Sequence, residues 1–422
     1  MRVLVVGSGG REHALTKKIL ESPEVSEVFV APGNGGTREI AHNVDIAAAD
    51  CSRLVRFAKR NRVGLTVVGP EVPLVLGIGG YFDYRSQKMF GPGPGAAMLE
   101  GSKNYAKTIM KRYGIPTGES SLFAEYHHAI DFLKKMPPPY VVKVDGLAGG
   151  KGVVVTSDLK EAEAAVRRGF SKSEYINPHD LVLIEECLEG WELSMLAFSD
   201  GRNILPLVPA QDYKRLDTEK NSPNTGGMGS YSPVPKVTPE LYEEIIESIL
   251  KPTITAMAKE GMTYKGIIYA GLMITEDGPK VIEFNCRFGD PETQAIIPRL
   301  ESDIMEPMLA VVEGDLSGVK LKWKPEVCAS VVIASGGYPG TDHYPELEIQ
   351  GIDDASRIEG VTIYHAGTTI KDGEFHIAGG RVLNVSALGK DFGEARERAY
   401  EAVSKIKFPD MCYRTDIALT GI

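Results

Sequence analysis

Residues 140–156 have the sequence YVVKVDGLAGGKGVVVT. Both ends are rich in β-branched residues, which predicts strands at Tyr140–Asp145 and Val153–Thr156. The connection between them contains four glycines and Lys151. A backbone of this kind can close over phosphate groups while the lysine adds positive charge. It is not a P-loop, because the Lys-Ser/Thr ending and the following helix are absent. Glycine-rich hairpins also occur without a ligand, so the pattern alone allows both interpretations.

Lys143 favours the phosphate interpretation. It alternates with Val142 and Val144, whose side chains point to the opposite face of the strand. A lysine in so apolar a strand requires an anion that compensates its charge. The alternative is a surface lysine on an edge strand. We predict that Lys143 contacts phosphate together with the glycine-rich connection.

A second motif ends another apolar strand, where Glu283 and Asn285 flank Phe284. Because side chains alternate along a strand, the carboxylate and the amide oxygen face the same side. Such a pair suits Mg²⁺, which takes few protein ligands and fills its shell with phosphate and water. An E-x-N triplet carries little weight alone. The continuation adds Arg287, which can neutralise phosphoryl charge, and Asp290, which can hold an amine or the arginine. A surface salt bridge is the alternative.

The first hundred residues alternate apolar strands with helices, which predicts a parallel sheet. The first strand, Val3–Val6, leads into GSGGREH (residues 7–13) at the start of a helix. Free N–H groups at a helix N-terminus bind anions, so this turn is predicted to hold a substrate phosphate. A dinucleotide site is disfavoured, because Glu12 replaces the third glycine of its fingerprint and no acidic residue closes the second strand. A turn that only reverses the chain is the remaining alternative.

Three polar segments complete the candidate sites. Residues 185–192 (EECLEGWE) leave a strand into a turn, where backbone groups can pair with an adenine edge and Glu192 with ribose hydroxyls. From spacing alone, a plain acidic turn is the simpler interpretation. Residues 211–215 (QDYKR) and 224–229 (NTGGMG) are loops rich in glycine and hydrogen-bonding side chains. Substrate binding needs such loops more often than structure does.

Composition excludes several classes of protein. The 422 residues are 43% apolar and 25% charged, as in globular proteins of several domains. No apolar run approaches the ~18 residues of a membrane span. The first residues predict a strand, so we expect no signal peptide. The net charge of −10 leaves no basic footprint for nucleic acid. Five widely spaced cysteines predict free thiols rather than disulfides or a zinc site. We therefore expect a cytoplasmic protein with no nucleic-acid or membrane partner.

Together the glycine-rich connection, the strand lysine, the acidic turn and the E-x-N triplet resemble the ATP-grasp superfamily. Within it, the chain is similar to the phosphoribosylamine–glycine ligase family over nearly its whole length. The resemblance is carried, in chain order, by residues 7–13, 99–103, 145–152, 211–215, 223–229, 282–293, 336–340, 365–368 and 379–382.

The resemblance implies an α/β fold, with α+β elements in a lid, in which an N-terminal parallel-sheet domain and a small C-terminal domain flank an ATP-grasp domain. We expect limits of 1–101 for the substrate-binding N-terminal domain, 102–324 for the ATP-grasp domain with its lid at about 119–190, and 325–422 for the C-terminal domain.

The implied activity is ligation of glycine to 5-phosphoribosylamine with ATP and Mg²⁺ or Mn²⁺, by an enzyme expected to act as a monomer. The nearest alternative is another ATP-grasp carboxylate–amine ligase or carboxylase. A nucleotide-binding regulatory module would lack Glu283, Asn285 or Arg287, and all three are present.

The resemblance also implies residue roles. Those implied for ATP are Lys103 and Lys143 at the phosphates, Gly149 and Gly150 in the lid, and Glu185, Glu186, Leu188 and Glu192 at adenosine. Glu283 and Asn285 are implied for the metal, and Arg287, Lys143 and Asp290 for catalysis. Those implied for glycine and the sugar phosphate are Gly9, Gly10, Arg11, Asp212, Lys214, Asn224, Thr225, Gly226, Arg287, Asp290 and Pro291.

Two positions depart from the family pattern. Tyr213 stands where the family usually has histidine, so we expect no chemical role there. Trp191 replaces a small or polar residue of the adenine-binding turn. Only a change in packing is expected at Trp191, because the turn would act through backbone atoms.

Overall fold

A computed structural model describes residues 1–147, 152–171, 181–219, 222–340 and 346–421. The first hundred residues alternate strands and helices, as the sequence predicts. Their elements are β1 (Arg2–Gly7), α1 (Gly10–Leu20), β2 (Glu27–Pro32), α2 (Gly35–Ile40), β3 (His42–Asn43), α3 (Cys51–Arg60), β4 (Leu65–Val68), α4 (Glu71–Val75), α5 (Ile78–Tyr84), β5 (Met89–Phe90) and α6 (Pro94–Gly101).

The five strands form one parallel sheet in the order β3-β2-β1-β4-β5, which confirms the predicted fold class. The order reverses at β1, so the carboxyl ends of β1 and β4 border a crevice of the kind that binds ligands. The Glu12 side chain fills part of this crevice, because a Cβ on Gly69 would lie 1.9 Å from its Oε1. A side chain in that space prevents the close backbone approach that a dinucleotide pyrophosphate needs.

The lid is a small two-layer unit with its own core. Its antiparallel sheet has the order β6-β9-β7-β8, and two helices cover one face, where Val142 and Ile184 pack with Ala129 and Val166. Lys143 alternates with Val142 and therefore lies on the other face. The elements of this region are α7 (Lys103–Tyr113), β6 (Ser120–Phe123), α8 (Tyr126–Leu133), β7 (Tyr140–Val144), β8 (Val153–Thr156), α9 (Leu159–Phe170) and β9 (Val182–Glu185).

A second antiparallel sheet, β11-β10-β14-β15, forms the centre of the molecule. Its elements and neighbours are β10 (Trp191–Asp200), β11 (Ile204–Pro206), β12 (Gln211–Asp212), β13 (Gly229–Ser232), α10 (Pro239–Ile245), α11 (Lys251–Lys259), β14 (Lys265–Thr275), β15 (Gly278–Asn285), α12 (Glu292–Ile296) and α13 (Met305–Glu313). The predicted turn at residues 190–192 is wrong in part, since Trp191 and Glu192 begin β10 and pair with Ile274 and Met273 of β14.

The C-terminal region contains β16 (Val327–Ala334), α14 (Ile352–Ser356), β17 (Val361–His365), β18 (Thr368–Lys371), β19 (Glu374–Ile377), β20 (Arg381–Gly389) and α15 (Phe392–Lys405). Its main sheet has the order β12-β13-β16-β20-β17, so it joins strands from both sides of residue 325. Across the described part of the chain, no helix combines the length and apolar character needed to cross a bilayer.

Two buried histidines join the N-terminal and C-terminal regions. The backbone N–H of His365, on β17, donates to Nδ1 of His13, on α1, at 2.8 Å. The side-chain amide of Asn34 donates to the His365 carbonyl at 2.7 Å. Burial, followed by the proximity of His365 and Lys17, lowers the pKa of His13 to about 3, and burial lowers the pKa of His365 to about 4. Both rings are therefore neutral in the folded protein near neutral pH.

We expect this pair to make the fold sensitive to acid. Unfolded histidines titrate near pH 6.5. Between about pH 6.5 and pH 4 the unfolded chain therefore binds more protons, and the free energy of unfolding falls as pH falls, by up to about 1.4 kcal/mol per pH unit for each ring. Urea midpoints measured between pH 5 and pH 7 should slope less in His13→Asn than in the wild type. The exposed His127→Asn serves as control, and equal slopes in His13→Asn and wild type would contradict the prediction.

Candidate active site

Lys143 and Glu185 form a buried ion pair at the base of the lid. The Lys143 Nζ lies 2.9 Å from Glu185 Oε2 and donates to the Ile282 carbonyl at 3.1 Å. The lysine therefore has the anion that its apolar strand requires, and that anion is a protein carboxylate. Among the described residues these contacts use two of the three N–H donors of the ammonium group, which leaves one for a ligand.

Lys103 begins α7 and reaches the start of the glycine-rich connection. The Asp145 carboxylate accepts hydrogen bonds from the Lys103 backbone N–H at 2.6 Å and from the Ser102 hydroxyl at 3.0 Å. The Lys103 Nζ donates to the Gly146 carbonyl at 2.8 Å. Burial lowers the pKa of Lys103, although Glu283 opposes this shift. The predicted lid residues Gly149 and Gly150 lie outside the described residues.

Glu283 and Asn285 both lie on β15, as predicted. The Glu283 carboxylate is 3.8 Å from the Lys214 Nζ, and the Asn285 Oδ1 accepts from Arg287 at 3.1 Å. Burial works against ionisation of Glu283, but Lys214, Lys143 and Lys103 bring its pKa below its usual value. An ionised carboxylate and an amide oxygen on one face of a strand fit the oxygen preference of a hard divalent cation.

The segment after β9 packs against residues 118–119, which connect α7 to β6. The Glu186 backbone N–H donates to the Glu119 carbonyl at 2.9 Å, and the Glu186 carboxylate accepts from the Glu119 N–H at 2.9 Å. Leu188 packs beside Gly118, where a Cβ would lie 3.4 Å from the leucine side chain. These contacts fix the backbone that the sequence assigns to adenine.

Lys214 lies among acidic side chains. Its Nζ is 2.9 Å from the Glu192 carboxylate and 3.8 Å from that of Glu283. Burial acts against its charge, but Glu192, Asp212 and Glu283 raise the pKa of Lys214 well above its usual value. Burial also raises the pKa of Asp212 to about 8. The charge of Lys214 opposes this shift, and that of Glu292 adds to it. This excess of carboxylates suits a substrate amine.

The loop at residues 224–227 packs under Lys214 and against the C-terminal region. The Thr225 hydroxyl donates to the Lys214 carbonyl at 2.8 Å. The Gly226 carbonyl accepts from Arg381, on β20, at 2.7 Å. Asn224 is exposed at the tip of this loop. Of the two predicted substrate loops, the one at residues 211–215 reaches the predicted metal strand, through Lys214 and Glu283.

Asp290 joins this loop to the N-terminal turn. Its carboxylate is 3.3 Å from Arg381, and a Cβ on Gly9 would lie 3.1 Å from its Oδ2. Burial opposes ionisation, but Arg381 and then Arg11 lower the pKa of Asp290. The carbonyl of the following Pro291 accepts from a serine hydroxyl of β13 at 2.8 Å.

The side chain of Glu12 stabilises the N-terminal turn at residues 7–13. That carboxylate accepts from the Gly9 N–H at 2.6 Å and from the Arg11 Nε at 2.5 Å. Gly10 has no room for a side chain, since a Cβ would lie 2.5 Å from the Asn384 Oδ1. Glu12 therefore holds the Gly9 N–H that the sequence assigns to a phosphate. The phosphate role of this turn remains a prediction.

Sequence reasoning missed the partners of Arg287. The Arg287 Nε lies 3.4 Å from the Glu71 carboxylate, and its Nη2 lies 3.1 Å from that of Glu100. The Cys286 backbone N–H also donates to Glu100, at 2.8 Å. Glu100 belongs to residues 99–103, which carry the family resemblance, and that was the available signal. Lys107, described below, was missed as well.

The two departures from the family pattern have packing contacts. The Tyr213 hydroxyl is 3.1 Å from that of Thr420, and the Arg414 guanidinium lies 5.1 Å from the centre of the Tyr213 ring. The Lys236 Nζ lies 5.8 Å from the centre of the Trp191 ring. The absence of a chemical role at Tyr213 and a change of packing alone at Trp191 stay predictions.

Known proteins resemble the chain over its whole length. It matches the phosphoribosylglycinamide synthetase N domain over residues 1–100, the ATP-grasp (A) domain over 101–293 and the C domain over 328–420. It is 46% identical over 418 residues to the phosphoribosylamine–glycine ligase of Caldanaerobacter subterraneus subsp. tengcongensis, with 99% of each chain covered. It is 48% identical over 425 residues to that of Allochromatium vinosum, covering 100% of this chain and 99% of the relative.

A solved structure gives the same result. The crystal structure of phosphoribosylamine–glycine ligase from Thermotoga maritima matches with a TM-score of 0.85 at 34% identity, covering 99% of this chain and 100% of that chain. The predicted ATP-grasp fold is therefore confirmed. Family models, sequence relatives and structure agree that the chain belongs to the phosphoribosylglycinamide synthetase family, the phosphoribosylamine–glycine ligases with an ATP-grasp domain.

Proposed function

We propose that the chain joins glycine to 5-phosphoribosylamine, giving glycinamide ribonucleotide, ADP and phosphate in purine biosynthesis. One observation carries the proposal. The Phe288 carbonyl accepts hydrogen bonds from Arg11 at 3.1 Å and from Arg287 at 3.3 Å. The Phe288 carbonyl thus links the N-terminal turn, which is assigned to the sugar phosphate, to the segment after β15, the strand assigned to the metal. Substrates held at these two places would meet beside the segment from Arg287 to Asp290.

The ATP-grasp domain uses ATP and a divalent metal ion. We assign the metal as Mg²⁺ or Mn²⁺, held by Glu283 and Asn285, where its charge would offset that of the phosphates. Lys103 and Lys143 would contact the phosphates, and Gly149 and Gly150 are assigned to the same phosphates. The residues assigned to adenosine are Glu185, Glu186, Leu188 and Glu192.

The chain needs no general base for this reaction, because the glycine carboxylate is already ionised near neutral pH. That carboxylate would attack the terminal phosphorus of ATP, forming glycyl phosphate and releasing ADP. The amine of 5-phosphoribosylamine would then attack the carbonyl carbon, and phosphate would leave and take up the proton that the amine nitrogen loses. Arg287 would stabilise the transferring phosphoryl group. The arginine that pairs with Asp290 is Arg381 and not Arg287, so of the two predicted roles of Asp290 we keep the binding of the amine. The protein contributes positioning and charge neutralisation.

The remaining assignments concern the substrates and the molecule as a whole. The residues proposed for glycine and the sugar phosphate are Gly9, Gly10, Arg11, Asp212, Lys214, Asn224, Thr225, Gly226, Arg287, Asp290 and Pro291. The domain limits of 1–101, 102–324 and 325–422, with a lid at about 119–190, stay a proposal. So do a monomeric state and a cytoplasmic location.

A steady-state assay with the substrates omitted one at a time tests the function. We expect ADP release only when glycine and 5-phosphoribosylamine are both present, because the acyl phosphate needs a carboxylate to form and an amine to discharge it. Alanine replaces glycine in the control reaction. Equal ADP release with alanine would favour another ATP-grasp carboxylate–amine ligase. Release of AMP and pyrophosphate would show that the proposed chemistry is wrong.

A further inference from the structure

A second lysine lies against the Lys143–Glu185 pair. The Nζ of Lys107, on α7, is 3.3 Å from Glu185 Oε2, the same oxygen that contacts Lys143. It also donates to the Thr117 hydroxyl at 2.8 Å and to the Gly118 carbonyl at 2.9 Å. All three N–H donors of Lys107 are thus used within the protein. Lys107 therefore acts on a ligand only through its neighbours.

The other carboxylate oxygen of Glu185, Oε1, is buried without a hydrogen-bond partner among the described residues. Glu185 as a whole is 5% exposed. A carboxylate oxygen accepts hydrogen bonds and donates none. A buried acceptor without a donor is costly. An N–H group on a ligand would satisfy this oxygen.

Lys107 also connects the segments that surround residues 185–192, the turn assigned to adenine. The Thr117 hydroxyl donates onward to the Val281 carbonyl of β15 at 2.7 Å. Gly118 lies beside Leu188, where a Cβ would be 3.4 Å from the leucine side chain. The Lys107 ammonium thus fixes Glu185 and Gly118 directly. Through Thr117 it also fixes β15, the strand assigned to the metal.

We propose that Lys107 is a positioning residue that sets the preference of the nucleotide site for adenine. By holding Glu185 through Oε2, it presents Oε1 to the exocyclic amino group of the base. A base with a carbonyl at that place, such as hypoxanthine, brings a second acceptor to Oε1 and is rejected. The inference rests on the proposed use of ATP. If Lys107 were only a satisfied buried lysine, its loss would lower stability without changing the choice of base.

Binding of ATP and of inosine triphosphate, measured with Mg²⁺ and without other substrates, separates these views. In Lys107→Met we expect the affinity for ATP to fall about 10–100-fold, the size of a lost charge-assisted hydrogen bond. The affinity for inosine triphosphate should change little, so the preference falls at least about tenfold. At saturating ATP, kcat should change less than the KM for ATP. The control is Lys111→Met, an exposed lysine of the same helix.

Equal losses for both nucleotides, or no loss, would overturn the proposal. If Lys107→Met does not fold, Glu185→Gln decides, because its amide can donate to the inosine carbonyl; an unchanged preference in that variant would also overturn it. A wild-type protein that binds neither nucleotide contradicts the proposed function itself. A wild type that prefers ATP, with variants that keep the preference, contradicts the roles of Lys107 and Glu185 in the choice of base and leaves the proposed function in place.

Discussion

Replacing Glu283 with alanine is expected to abolish metal-dependent turnover while the fold stays intact. The side chain is the one formal negative charge of the Glu283–Asn285 pair, and nearby cations, first among them Lys214, favour its ionised form. Its loss would leave one neutral amide oxygen for the metal and would remove one of the carboxylates around Lys214. We expect kcat to fall by at least about 10²-fold, as when a group that stabilises transition-state charge is removed.

Titration with Mg²⁺ and Mn²⁺ gives the decisive measurement. In Glu283→Ala, raising either metal should restore little activity, and the urea midpoint should stay close to that of the wild type. The control is Glu276→Ala, in the turn between β14 and β15, which lies on the same hairpin outside the assigned site. Wild-type turnover at ordinary metal concentration in Glu283→Ala would rule out the metal assignment.

The placement of Glu283 and Asn285 together on β15 could be predicted because its signal is local, while their metal role stays a prediction. Strand alternation places Glu283 and Asn285 on one face whatever the rest of the chain does. The limits of α7 have the same local character. The Ser102 hydroxyl caps its first turn by accepting from the Tyr105 N–H at 3.1 Å, and Gly114 ends it with a φ of 69°. Such features depend on neighbours in sequence, so the sequence alone can indicate them.

Long-range partners could not be predicted in this way. Lys143 needed an anion, but only the pairing of β7 with β9 makes that anion Glu185. A lysine is usually exposed, yet Lys18 of α1 is buried, and its ammonium donates to the Leu300 carbonyl at 2.7 Å. Glu71 is a plain acidic residue in the sequence. Its role follows only when the fold brings it to Arg287, far along the chain.

The second large effect is expected at Arg287, whose replacement by methionine should reduce both activity and stability. The guanidinium bridges Glu71 and Glu100 of the N-terminal region and the Asn285 amide of the metal strand. Removing it leaves Glu100, whose side chain is 7% exposed, without its countercharge. Breaking a buried pair from one side costs about 3–5 kcal/mol. Activity should fall about 10³-fold, because the positive charge at the transferring phosphoryl group is lost as well.

A double variant separates the loss of stability from the loss of activity. In Arg287→Met with Glu100→Gln, both members of the buried pair are neutral, so the urea midpoint should recover toward the wild type while turnover stays low. Arg287→Lys keeps the charge but cannot reach both carboxylates and the amide at once, and should recover part of the stability and little of the activity. The exposed Arg357→Met should change neither. If the double variant is as unstable as the single one, Glu100 is not the source of the loss; if Arg287→Met turns over normally, its proposed role in phosphoryl transfer is wrong.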